Sequence, residues 1–226
     1  SPLTLAGHSF LGAGVELNPG ILRFGAVYGR FKQKTIPNTD NPMDTLQSPT
    51  RKGYSVKLGI GSAKNFFDLI FLQIADDTLS FDQLQYGSKT PQANEVIGAH
   101  FKFTLFKKLT WETEGAASLL TKDLYTSQPF EIENAFLQNV VSTFRVNSTS
   151  EYSTALTSNL TYNERKFSVG FQYRRIDPNF QSFGAYYFNT DIENITLNAR
   201  FKMFKNKVSV SGNIGLQNDD LKNNKA

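Results

Sequence analysis

The chain has 226 residues, of which 39% are hydrophobic, 13% aromatic and 19% charged, with no cysteine and a formal charge of +4 from 24 basic and 20 acidic side chains. The missing cysteine excludes a disulfide scaffold, a thiolate metal site and a cysteine nucleophile, and the small basic excess does not point to nucleic acid. No apolar run approaches the roughly 20 residues a transmembrane helix needs, but a transmembrane β-barrel keeps its apolar residues on alternate positions and escapes that test.

Ser1 to His8 hold no basic stretch leading into an apolar one, so no signal peptide is read there. Beyond them a period of two runs to the far end of the chain. Strands are expected near 9–17, 21–30, 54–62, 66–75, 95–105, 109–119, 153–162, 166–175, 193–203 and 208–217, joined as five hairpins. The alternation is plainest late in the chain. Phe167, Val169, Phe171 and Tyr173 oppose Ser168, Gly170, Gln172 and Arg174; Ile195, Leu197, Ala199, Phe201 and Met203 oppose Asn194, Thr196, Asn198, Arg200 and Lys202. Val208, Val210, Ile214 and Leu216 oppose Ser209, Ser211, Asn213 and Gln217 in the last strand. Each strand is close to the length a tilted strand needs to cross a bilayer core.

The connections alternate between two kinds. Short turns are expected at Asn18-Pro19-Gly20, Ala63-Lys64, Phe106-Lys107-Lys108, Glu164-Arg165 and Lys205-Asn206. Long polar connections lie between them, at about 31–53, 76–94, 120–152 and 176–192. Short turns at one end and long loops at the other are the pattern of an outer-membrane barrel, whereas a soluble sandwich scatters its loop lengths over both ends. The expected fold is therefore all-β: an antiparallel up-and-down transmembrane β-barrel, one segment spanning 1–226. Strand directions place both chain ends on the long-loop side, so the chain is expected to be an interior piece of a barrel of about twelve strands or more.

Hairpin register separates the two faces. Placing Leu17 opposite Leu22 pairs Glu16 with Arg23, and placing Leu105 opposite Leu109 pairs Phe103 with Trp111, Lys102 with Glu112 and His100 with Glu114. The polar face, expected to line a wet lumen, carries Glu16, Arg23, Lys57, Asp68, His100, Lys102, Glu112, Glu114, Gln172, Arg200 and Lys202. The apolar face, expected to meet lipid, carries aromatics in two bands: Phe67, Trp111, Tyr162 and Phe167 near short turns, and Tyr28, Tyr54, Phe71 and Tyr173 near long loops, with Phe24, Phe171 and Phe201 on the same face. A soluble all-β binding protein with one buried face uses the same alternation but leaves the regular strand and loop lengths unexplained.

Other signals carry less. Gly25-Ala26-Val27-Tyr28-Gly29-Arg30 is glycine-rich, yet no helix follows it, so a phosphate loop is excluded. His8 and His100 are the two histidines, and neither has a second histidine at metal-binding spacing. Any catalysis would fall on His8 near the outer rim or on His100 with Glu112 and Glu114, where a lumen ion pair is the simpler reading; no enzyme activity, metal or cofactor is expected. Phe136, Leu137, Val140, Val141 and Phe144 recur at helical spacing, which predicts a short amphipathic helix folding into the lumen or capping the rim. Asp76-Asp77 and Asp219-Asp220 read as solvated strand ends.

The stretch from Gly12-Ala13-Gly14-Val15-Glu16-Leu17-Asn18-Pro19-Gly20 to Arg23-Phe24-Gly25-Ala26-Val27-Tyr28-Gly29-Arg30 resembles hairpins of outer-membrane β-barrel proteins of the Bacteroidota type, and Phe101 to Leu109 is similar to others of that kind. The resemblance covers these two hairpins in detail and the rest in pattern. It implies a Gram-negative outer membrane and assigns no functional residue. The functions expected are a channel for small polar solutes or, in a second class, a non-conducting barrel that scaffolds adhesion or export partners. The partners expected are membrane lipid, other outer-membrane proteins or further parts of the same chain, and no nucleic acid.

Overall fold

A computed structural model of the chain describes residues 1–35, 48–80, 90–129, 144–185, 189–204 and 207–221. Ten strands follow in chain order: β1 (Leu11–Leu17), β2 (Leu22–Lys32), β3 (Arg51–Gly61), β4 (Phe66–Asp76), β5 (Ala93–Leu105), β6 (Leu109–Thr121), β7 (Ser150–Asn163), β8 (Phe167–Ile176), β9 (Ile192–Met203) and β10 (Val208–Asp219). They form one antiparallel sheet in which spatial order equals chain order, an open up-and-down meander with β1 and β10 at its edges. The one helical element among the described residues is a single 3-10 turn, Thr78–Ser80. The helix expected around 136–144 lies outside the described residues except for Phe144, whose ring sits 5.9 Å from that of Phe71. The turn expected at Lys205-Asn206 also lies outside them.

Local chemistry explains the tight reversals. Between β5 and β6, Lys108 N–H donates to the Leu105 carbonyl at 3.1 Å, and Phe106 and Lys107 both take positive φ, 52° and 59°. Two left-handed central residues give a hairpin turn whose twist matches that of its strands. Between β3 and β4 the turn demands glycine: Gly61 has φ 120°, and a Cβ there would stand 2.2 Å from the Asn65 carbonyl.

In the first hairpin the register differs from the expected one by two residues. Leu17 faces Phe24, Glu16 faces Gly25 and Val15 faces Ala26, so Glu16 is not opposite Arg23. An even slip keeps every side chain on its face, which is why the apolar pattern alone could not detect it. The chain takes two further residues, 18–23 instead of 18–21 lying between the paired positions, with Leu22 N–H on the Pro19 carbonyl at 3.1 Å. In the third hairpin the register is Leu105 to Leu109, Phe103 to Trp111, Lys102 to Glu112 and His100 to Glu114.

The two faces of the sheet are dressed differently. The outer face is apolar and uncovered: Leu11, Tyr28, Leu58, Leu69, Phe103 and Trp111 stand exposed on it, as do Leu160, Phe171, Leu197 and Ile214 further along. The inner face receives two irregular segments, residues 1–7 and 177–185. Leu3 from the first, and Phe180 and Phe183 from the second, meet Leu72 and Ile74 of β4, Val96 of β5, Ala116 and Leu120 of β6, Ala155 of β7 and Ile176 of β8 in one buried cluster. This small core sits towards the long-loop end of the inner face and is the only apolar cluster of buried residues among the described ones.

Candidate functional site

Antiparallel pairing lays the inner-facing residues out in rows that cross the strands. One row reads Glu16–Gly25–Lys57, and beside it runs Arg23–Gly59–Asp68–His100–Glu114–Thr157–Arg174–Asn194–Gln217. In each of the first two strand triplets a glycine occupies the middle place. Lys57 Nζ reaches Glu16 Oε1 at 2.7 Å across Gly25, and Arg23 grips both oxygens of Asp68, at 2.7 and 2.9 Å, across Gly59. The space is needed: a Cβ on Gly59 would lie 2.0 Å from Asp68 Oδ1, and one on Gly25 would lie 3.2 Å from Lys57 Cε. Absent side chains on β2 and β3 thus let charges two strands apart meet.

Asp68 is nearly fully buried, and the Arg23 guanidinium also lies 4.3 Å from the centre of the Phe66 ring, which covers it. Bidentate geometry and burial place this pair among the stronger ion pairs. On β5 and β6, Glu112 accepts from Lys102 Nζ at 2.9 Å and contacts His100 Nε2 at 3.0 Å. Glu114, directly opposite His100 in register, turns away from it. Its Oε1 accepts the Leu3 N–H at 2.6 Å and the Ser1 hydroxyl. The carboxylate therefore anchors the N-terminal segment rather than a histidine.

That segment is fastened at further points. Ser182 Oγ donates to the Thr4 carbonyl at 2.6 Å, and Ala6 N–H donates to the Gly184 carbonyl at 3.1 Å. Thr4 rests over Gly98, where a Cβ would stand 2.6 Å from Thr4 Cγ2. The second segment is clipped by Asn94, fully buried on β5, whose Nδ2 donates to the Gln181 carbonyl at 3.2 Å while its Oδ1 accepts the Phe183 N–H at 2.9 Å. Arg51, paired with both oxygens of Asp76 at 2.7 and 3.2 Å, lies 3.5 Å above the Phe183 ring. Together the two segments cover the inner face over β4–β6 with a hydrogen-bonded plug. Nothing in the periodicity of the sequence foretells it, because neither segment alternates.

Among the described residues, concavities open on the inner side. One of about 750 Å³ lies at the long-loop rim beside Arg51, Lys122, Asn179 and Phe183. A second, about 410 Å³, lies under Ser1, Thr4 and Leu5 over Gly14, Gly25 and Lys57. A third, about 470 Å³, spans β7–β10 around Arg200, with Thr161, Ser168, Gly170, Asn198, Ser211 and Asn213.

The residues singled out in the sequence are placed as follows. Glu16, Arg23, Lys57, Asp68, His100, Lys102, Glu112, Glu114, Gln172, Arg200 and Lys202 all stand on the inner face; those on β1–β6 are drawn into ion pairs or the plug, while Gln172, Arg200 and Lys202 on β8 and β9 are not. Phe24, Tyr28, Phe67, Phe71, Trp111, Tyr162, Phe167, Phe171, Tyr173 and Phe201 all stand on the outer face. Phe167 and Phe171 are 37% and 45% exposed, so no second layer of the described protein covers them. Among the described residues no group of three or more His, Asp or Glu side chains is placed to hold a metal ion. No protein-family model, no curated protein and no solved structure matches the chain.

Proposed function

We propose that the sheet is the wall of a transmembrane β-barrel in a Gram-negative outer membrane, and that it bounds a path for small polar solutes. One observation carries the reading. Every large apolar side chain that stands exposed on a strand lies on the outer face, across all ten strands, so the sheet presents one continuous greasy surface. A monomeric soluble protein rarely exposes more than a few hundred Å² of contiguous apolar surface, and a bilayer is the solvent that favours such a face. Aromatics support this: Trp111, Tyr162 and Phe167 lie near one end of the outer face and Tyr28, Tyr54 and Tyr173 near the other, where two water–lipid interfaces would fall. Hydrocarbon tolerates no unpaired ladder, so in the membrane the edges of β1 and β10 meet each other or further strands.

The inner face supports a path on one side only. Over β4–β6 and the long-loop ends of β7 and β8 it is covered by the plug, whereas over the rest of β7–β10 it is polar and open. The plug favours a second reading, a non-conducting barrel that scaffolds partners. Two measurements separate these and test the shared premise. The chain should remain in the membrane fraction after carbonate extraction and migrate differently in detergent gels with and without boiling; recovery in the soluble fraction overturns the membrane reading altogether. In planar bilayers the purified protein should give single-channel current, and an integral but silent protein selects the scaffold.

A further inference from the structure

We propose that the inner face of β7–β10 binds a small polyhydroxylated anion, a monosaccharide-sized molecule bearing a carboxylate or phosphate, in the depression over Gly170. The inference rests on the membrane reading for its context but on this surface for its chemistry. Two adjoining rows build the depression: Thr161–Gly170–Asn198–Asn213 and Asn163–Ser168–Arg200–Ser211. Gly170 supplies the low point, since it carries no side chain between Thr161 and Asn198. The volume, about 470 Å³, is in the range of small-molecule sites.

The lining sets the ligand class. Thr161, Ser168, Asn198, Ser211 and Asn213 have no side-chain hydrogen bond to any other described residue, and Arg200 and Lys202 have no ion pair there. The acidic side chains facing inward on these strands, Glu151 and Asp219, lie at the far, long-loop end. A surface with uncompensated positive charge and a field of hydroxyl and amide groups is matched by a ligand that brings both negative charge and hydroxyls. Guanidinium recognises planar oxyanions in two-pronged fashion, which makes Arg200 the anchor and the neutral groups the readers of hydroxyl pattern.

Isothermal titration calorimetry on the full chain in nanodiscs tests this, with gluconate and glucose 6-phosphate as probes and glucose and acetate as comparators. Gluconate or glucose 6-phosphate should bind, and whichever binds tighter identifies the anionic group; glucose, which lacks charge, and acetate, which lacks hydroxyls, should bind at least about tenfold more weakly. Arg200→Gln should weaken binding about tenfold or more, Gly170→Val should remove it by filling the depression without touching charge, and Lys64→Gln at a distant turn should leave it unchanged. Absence of heat with both anions, equal binding of acetate, or full affinity in Arg200→Gln overturns the proposal. A chain that binds gluconate yet fails to enter nanodiscs would sink the membrane reading and leave this site standing; a chain that inserts and conducts but binds neither anion would do the reverse.

Discussion

Across β1–β6 the inner-facing charges are answered by the chain itself, whereas on β9 Arg200 and Lys202 are left without an ion pair among the described residues. Arg23, Lys57, Arg51 and Lys102 each hold a carboxylate, Glu114 holds the N-terminal segment, and Leu3, Phe180 and Phe183 close the apolar rows. On β8–β10 the same face offers Gln172, Asn198, Arg200 and Ser211 with no such answer. The difference is one of composition: the first half alternates large apolar or charged residues with glycine, and the second alternates Ser, Thr and Asn. Stability is therefore concentrated in the first half of the inner face, and unspent hydrogen-bonding capacity in the second.

The largest expected break in this contrast is Leu72→Ala. Leu72 has no exposed surface and sits at the centre of the plug's core, so its truncation should cost about 3 kcal/mol. Thr196→Ala, on the inner face of β9, should stay within about 0.5 kcal/mol. The urea midpoint of Trp111 fluorescence reports both, and equal shifts would mean that the plug contributes no more than the bare half.

A matched pair of glycines sharpens it. Gly59→Ala would put a methyl 2.0 Å from Asp68 Oδ1 and 2.7 Å from the Phe67 carbonyl, which breaks the buried pair with Arg23 and should cost about 2–3 kcal/mol. Gly170→Ala would meet its nearest neighbour at 3.6 Å, an ordinary contact, and should change stability by less than about 0.5 kcal/mol. The same substitution thus separates a glycine that makes room for an ion pair from one that leaves a depression. If Asp68→Asn cost nothing, the first half of this explanation would be wrong.

How far each half was legible in the sequence follows from the same physics. Strand positions and face assignments on β8–β10 could be read because Phe167 to Arg174 and Val208 to Gln217 alternate without interruption. The partners of Glu16 and Arg23 could not, since a two-residue slip preserves both faces and because Gly25 and Gly59 let side chains skip a strand. Residues 1–7 and 177–185 carry no period at all; their docking depends on Glu114, Asn94 and Gly98, each of which reads on its own as an ordinary strand residue. The depression on β7–β10 was not legible: Ser168, Asn198 and Ser211 stood in the sequence only as positions opposing the apolar face, and it took the register to set them side by side with Arg200.

The smallest effect lies at the long-loop rim, where each half ends a strand with an aspartate just beyond it. Asp77 follows β4, and the Lys52 ammonium at 2.9 Å holds its carboxyl below the ordinary aspartate range, with the Leu79 N–H at 3.2 Å assisting. Asp177 follows β8; burial pushes its carboxyl up, but the Thr154 hydroxyl and N–H, together with Arg175, outweigh that and leave it lowered too. A carboxylate whose value is depressed by folding contributes stability that is present above its unfolded value and is lost as the pH falls through the folded one, so both rims should loosen only in acid. The Lys52 pair is exposed, so water and salt screen it and its contribution is the smaller of the two. Salt distinguishes the two, because counterions screen an ammonium in water far better than a hydroxyl and an amide donating at contact distance. In carboxyl-carbon NMR titrations the Asp77 midpoint should climb towards the ordinary value in about 1 M salt, where the Debye length is about 3 Å. That of Asp177 should move less, and an equal climb would show that Arg175, not Thr154, governs it.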